Sequence, residues 1–152
     1  MSDLTKALLD AQRAMPDLQK NAINPHFKNK YISLDRLMEQ VLPVLNEHGL
    51  VLIQAPSYLG DSEPALSTTL LHAESGDEFE TTMPLILERD NPQGQGSAIT
   101  YARRYALMSI LGLVADEDDD AEKASAGVRK PKVVNKLTPT VPSTDADGSG
   151  GW

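Results

Sequence analysis

From Ala98 onward a small residue returns at every fourth position, at Ala98, Ala102 and Ala106, and Ile110 and Leu113 extend the line. At about 100° per residue these positions share one side of a helix. So narrow a stripe lets the helix axis lie close to its support, and a β-sheet is the surface that meets it. Tyr101, Arg104, Tyr105 and Met108 fall on a second side. Arg103 points about a third of a turn from Arg104, toward Leu107 and Ile110, so one point contact cannot take both guanidinium groups. That division predicts one arginine for a ligand and the other for a neighbouring subunit. Gly94 and Gly96 would let the backbone approach a partner, and Ser97 is placed to N-cap the helix.

The remaining elements follow from periodicity. Leu4, Ala7, Leu8, Ala11 and Met15 recur at helical spacing, which predicts an amphipathic helix from about Asp3 that Pro16 ends or restarts. A polar connector runs from Asn21 to Tyr31. Ser33 then caps a second helix carrying Leu34, Leu37, Met38, Val41, Leu42 and Leu45, with Gly49 as its stop. Pro43 inside that helix predicts a bend or a missing backbone bond. Three strands are expected at 50–55, 65–72 and 78–88, joined by the turn formers Gly60-Asp61 and Ser75-Gly76-Asp77. In the last, Phe79, Met83, Leu85 and Leu87 alternate with Glu78, Glu80 and Glu88, which predicts one buried face and one acidic wet face. An acidic face repels phosphate, so a nucleic-acid surface would lie near the connectors and the last helix. The order helix-helix-strand-strand-strand-helix predicts an α+β fold, an antiparallel three-stranded meander backed by helices. Residues 1–120 make the expected domain, and 121–152, rich in proline, serine, threonine and glycine, the expected disordered tail.

The formal net charge of −8 argues against a broad phosphate-binding surface. Its distribution softens that. Six acids crowd between Asp116 and Glu122, whereas cations gather as Lys28 with Lys30, Arg103 with Arg104, and Arg129 with Lys130 and Lys132. A nucleic-acid site must therefore be a local groove, or one multiplied by assembly. The sequence holds no cysteine, which closes disulfide and thiolate-metal readings and suits a reducing compartment. With no charged-then-apolar leader and no bilayer-length apolar run, a cytoplasmic protein without membrane contact is expected.

Enzyme chemistry finds little support. The acid run lacks the central glycine of a calcium loop, and its competing role is the metal site of a nuclease. No glycine-lysine pair offers an ATPase loop, and Gly94-Gln-Gly96 lacks the later glycine of a dinucleotide loop. His26, His48 and His72 have no partnered nucleophile. The expectation is a non-enzyme with no cofactor and no bound metal, on which magnesium acts at most non-catalytically.

Two segments carry the chemistry of nucleic-acid binding. Phe27, Lys28, Lys30 and Tyr31 interleave cations with aromatic faces, and the 94–112 helix pairs Arg103 and Arg104 with Tyr101 and Tyr105. Cations hold phosphates, and aromatic faces stack on any base. The bland alternatives are core anchors for the aromatics and surface salt bridges for the arginines.

Asn24-Pro-His-Phe-Lys-Asn-Lys-Tyr31, with Leu34 and Leu45-Asn-Glu-His-Gly-Leu50, resembles the first signature of the essential recombination function (ERF) family of bacteriophage single-strand annealing proteins. Gln95-Gly-Ser-Ala-Ile-Thr-Tyr-Ala-Arg-Arg-Tyr-Ala-Leu107, with Leu111-Gly112 and Asp118-Asp-Asp-Ala121, resembles the second. The resemblance covers residues 4 to 122. It implies ATP-independent binding of single-stranded DNA and annealing of complementary strands in recombination, by a ring or filament of identical subunits. It also implies antiparallel strands backed by a helix, similar to eukaryotic strand-annealing mediators. By the same resemblance Lys28, Lys30, Arg103 and Arg104 are the expected DNA contacts, with Tyr31 and Tyr101 nearby. The rival expectations are the metal-dependent nuclease and an oligomeric interaction module that does not bind DNA. Trp152 is expected to be part of the disordered tail, with a dock for a host single-strand-binding protein as the alternative.

Overall fold

A computed structural model describes residues 1–114. The acid run from Asp116, the expected tail at 121–152 and Trp152 lie outside the described residues. Helix α1 (Asp3–Ala14) is N-capped by Ser2, whose side chain accepts from the Thr5 amide. Next come a short hairpin, β1 (Ala22–Ile23) and β2 (Lys30–Tyr31), and helix α2 (Leu34–Glu47). A meander follows, β3 (Leu50–Leu59), β4 (Glu63–His72) and β5 (Glu78–Pro84), and then helix α3 (Pro92–Ile110). The fold is α+β, with an antiparallel sheet in the order β3-β4-β5.

The hairpin is the element that periodicity missed. Its strands are two residues each, Ala22 opposite Tyr31 and Ile23 opposite Lys30. Such strands are too short to show alternation, so the segment looks like a connector. Strand β3 also outruns its expected end at Ala55, because Pro56 lies on an edge strand, where a missing amide need not break a ladder. Helix α2 runs through Pro43, which is exposed, and Gly49 at φ 70° ends it in the left-handed conformation expected of a helix stop.

The strand register sorts the sheet into two faces. Toward the helices stand the rows Leu52–Leu70–Phe79, Gln54–Thr68–Thr81 and Pro56–Leu66–Met83. Leu70 joins Leu37, Val41, Leu45, Leu107 and Met108 in the main core, while Leu66 meets Ala102 and Ala106 in a smaller cluster. The alanine stripe therefore does what its narrowness requires, although Met108 belongs to the core rather than to the Tyr101 side. Between the clusters lies a polar seam, where the Gln54 amide donates to Thr68 Oγ1 at 3.1 Å and to the Arg103 carbonyl at 3.0 Å.

The outer face differs from expectation. Among its rows are Val51–Leu71–Glu78, Ile53–Thr69–Glu80 and Ala55–Ser67–Thr82, so Glu78 and Glu80 stand on β5 while β3 exposes Val51 and Ile53. Phe79 and Leu87, expected inside, are exposed: Phe79 stands on an edge strand, and β5 ends at Pro84, before Leu87.

Candidate nucleic-acid interface

Local hydrogen bonding shapes the hairpin. Asn24 Oδ1 accepts from the His26 amide at 2.9 Å, and the Asn24 carbonyl accepts from the Lys28 amide at 2.7 Å. These bonds turn the chain hard enough to hold Lys28 at φ 56°, a left-handed conformation uncommon for a residue with a Cβ. Lys28 and Lys30 are exposed and have no ion-pair partner among the described residues, and Phe27 beside them is also exposed. At the base, Asn21 Oδ1 accepts from the Ser33 amide at 2.9 Å and Asn21 Nδ2 donates to Ser33 Oγ at 2.9 Å. Ser33 thus sits at the N-cap of α2 as expected, but its hydroxyl serves Asn21 and Asp35 rather than a helix amide. That hydroxyl, together with the Arg36 amide, holds the Asp35 carboxyl below the usual carboxylate range.

Helix α3 begins earlier than Ser97. Asn91 is its N-cap, accepting from the Gly94 amide at 2.7 Å, and Pro92 occupies the first turn. Asn-Pro is a helix-start signal in its own right, and Ser97 lies one turn inside. The close approach that Gly94 permits is internal: a Cβ there would overlap the Arg89 carbonyl. Gly96 has open space where its Cβ would be.

Further along α3 the aromatic and cationic groups come together. Tyr101 and Tyr105, four residues apart and so on one side, place their ring centroids 4.4 Å apart. The Arg104 guanidinium carbon lies 4.7 Å from the centroid of Tyr105 and 4.7 Å from that of Tyr31, within cation–π range. Its Nη1 also donates to the Ile32 carbonyl at 3.3 Å. Tyr31, Arg104, Tyr105 and Tyr101 thus form a contact chain from the hairpin onto α3. Arg103 turns the other way, its Nε donating to Gln54 Oε1 of β3 at 3.2 Å. The divergence expected of the two arginines is present, with both anchored inside their own chain and both half-buried.

Of the expected site residues, Tyr31, Tyr101 and Arg104 are therefore joined, Lys28 and Lys30 stand on the same hairpin as Tyr31, and Arg103 is directed at the sheet. Tyr105 is the residue missing from the expected site, although its spacing from Tyr101 was a usable signal. Beyond Tyr101 opens a cleft of about 480 Å³, floored by Met83, Ala98 and Ala102, with Ser97, Gln93 and Arg89 at its rim. Among the described residues no three histidine or acidic side chains gather as a metal site. His48 meets the Val44 carbonyl at 2.8 Å, His72 meets Ser75 Oγ at 2.9 Å, and His26 is exposed. No helix among the described residues is long and apolar enough to cross a membrane.

A family model described as the ERF superfamily matches residues 4–142. A curated relative, the essential recombination function protein of Salmonella phage P22, is 26% identical over 110 residues, covering 68% of this chain and 53% of the relative. The chain thus spans about half the length of the curated relative it matches. No solved structure matches it.

Proposed function

Since the chain belongs to the ERF superfamily, we propose that it acts in phage recombination as an ATP-independent protein that binds single-stranded DNA and anneals complementary strands. The observation that carries this reading is the hairpin beside α3, where exposed Lys28 and Lys30 flank a Tyr31–Arg104–Tyr105–Tyr101 contact chain. The lysines meet phosphates, and the tyrosines present faces to bases. Arg104 spends one donor on Ile32 and Arg103 one on Gln54, so each keeps guanidinium nitrogens for the strand.

Annealing needs no catalytic group. It needs a track that holds one strand by its backbone and leaves most bases free for a second strand. With so few cations per subunit, the track requires identical subunits side by side, ring or filament, each adding a small positive foothold. Strand β3 supports such assembly: it is an edge of the sheet, with Val51 and Ile53 exposed on its outer face. On this proposal the protein works in the host cytoplasm without a cofactor.

The test is annealing of two complementary labelled strands without ATP, comparing the wild-type chain with Lys28→Ala/Lys30→Ala. Wild-type protein speeds duplex formation, and the double variant loses most of that and flattens the salt dependence of binding, because fewer counterions are released. An acceleration indifferent to both lysines would remove the hairpin from the proposal. Magnesium-dependent shortening of the strands would identify a nuclease instead.

A further inference from the structure

We propose that the cleft beyond Tyr101 is a seat for a single nucleobase of the bound strand, one per subunit. The inference rests on the strand-binding reading above and adds a site to it. Tyr101 is 53% exposed and forms one wall of the cleft, while its ring also contacts Tyr105. It is the open end of the contact chain that begins at Tyr31, so a base entering the cleft extends an existing run of aromatic and cation–π contacts. The volume of about 480 Å³ falls among small-ligand clefts. Its composition selects a base over other occupants. Met83, Ala98 and Ala102 give an apolar floor for a flat ring, and Ser97 and Gln93 bring both donors and acceptors to the rim, as base edges require.

Phosphate is disfavoured there. Arg89 lines the cleft, but Glu88 lines it too, so the local charge does not favour an anion. The rim is also held in place, because the Arg89 carbonyl packs against Gly94, where α3 leaves no room for a side chain. Holding one base per subunit would stop the strand from sliding, while the bases between anchors stay free to pair. The hairpin lysines then supply affinity and the cleft supplies register.

The experiment compares binding of a thymidine homopolymer with that of an abasic phosphodiester chain of equal length, by the full-length protein. Wild-type protein prefers the base-bearing chain. Ser97→Leu, which fills the cleft from an exposed position, and Tyr101→Ala each cut that preference about fivefold or more without weakening the abasic chain, and Tyr101→Phe retains it. An undiminished preference in both Ser97→Leu and Tyr101→Ala overturns the base seat while leaving strand binding intact. Equal loss on both chains in Tyr101→Ala also overturns it, since Tyr101 would then act through the fold. If the wild-type protein retains neither chain, the strand-binding reading fails, and this inference fails with it.

Discussion

The β1–β2 hairpin and the β3–β5 meander are built on opposite principles. The meander joins the ten-residue strands β3 and β4 along their full length, adds the seven-residue β5, and packs Leu66 and Leu70 beneath three helices. The hairpin pairs two residues with two and leaves Lys28 and Lys30 in solvent. Cooperative burial holds the first. The second is held by a few directional contacts: the Asn24 turn, the Asn21–Ser33 pair, and Arg104 reaching from α3 to Tyr31 and Ile32. The two lysines proposed to meet the strand thus sit on the element with the fewer packing contacts, and its placement depends on an arginine of helix α3. That division suits binding, since a segment that meets a flexible polymer gains from local adjustment that the core does not permit.

Breaking the core should erase the contrast altogether. Leu70→Ala removes a fully buried side chain from the main cluster and is expected to cost about 2–5 kcal/mol, lowering the denaturation midpoint of sheet and hairpin together. Separate transitions for the two regions would show that the hairpin does not depend on the core.

Arg104→Ala should separate the regions. It leaves the Ile32 carbonyl without that donor, a loss of about 1 kcal/mol at a part-buried position. Amide exchange is expected to accelerate over residues 21–32 and to change little in β4. Arg104→Lys should not restore protection, because an ammonium lacks the planar face that lies against Tyr31 and Tyr105. Full protection in Arg104→Lys would reduce the arginine to a simple charge.

A gentler comparison concerns Lys28. Lys28→Gly relieves a left-handed residue that costs about 1–2 kcal/mol, whereas Lys28→Ala keeps the strain; both remove one cation. Hairpin protection should rise only in the glycine variant, and the salt slope of strand binding should fall equally in both. The two readouts separate hairpin geometry from charge.

The smallest effect is expected at Asp35. Its folded-state pKa is lowered by the Ser33 hydroxyl and the Arg36 amide, so its contribution is present above the unfolded value and lost as pH falls through the folded one. Acidification through and below the ordinary carboxylate range should therefore loosen the first turn of α2 and the Asn21–Ser33 contact. Backbone chemical shifts there report it, and Asp35→Asn should remove the pH dependence.

Much of the architecture was legible because its signals are local. Ala98, Ala102 and Ala106 predict a helix pressed on a sheet, Gly49 predicts a stop, and the turn residues at 60–61 and 75–77 separate three strands, all as found. Boundaries were less legible where two local signals competed. Ser97 after a glycine looks like a cap, yet Asn91-Pro92 starts α3, since Gly94 is needed inside the first turn to clear Arg89. The candidate site divides in the same way. Residue types pointed to Lys28, Lys30, Tyr31, Tyr101, Arg103 and Arg104, but not to the hairpin that carries the lysines, nor to Tyr105 as the link between Tyr101 and Arg104.

Sequence alone settled the order of the three helices and the three-stranded meander, the family signatures and the residues that carry charge and aromatic surface, because periodicity, capping and side-chain chemistry are written within a few residues of one another. Only the tertiary structure decided that Arg104 joins Tyr31 while Arg103 turns to Gln54, that β3 exposes Val51 and Ile53 on the face where β5 carries Glu78 and Glu80, and that a cleft opens beside Tyr101. Each of these depends on segments distant in the chain meeting at one place, and such meetings are set by how the helices pack on the sheet, which no local pattern encodes.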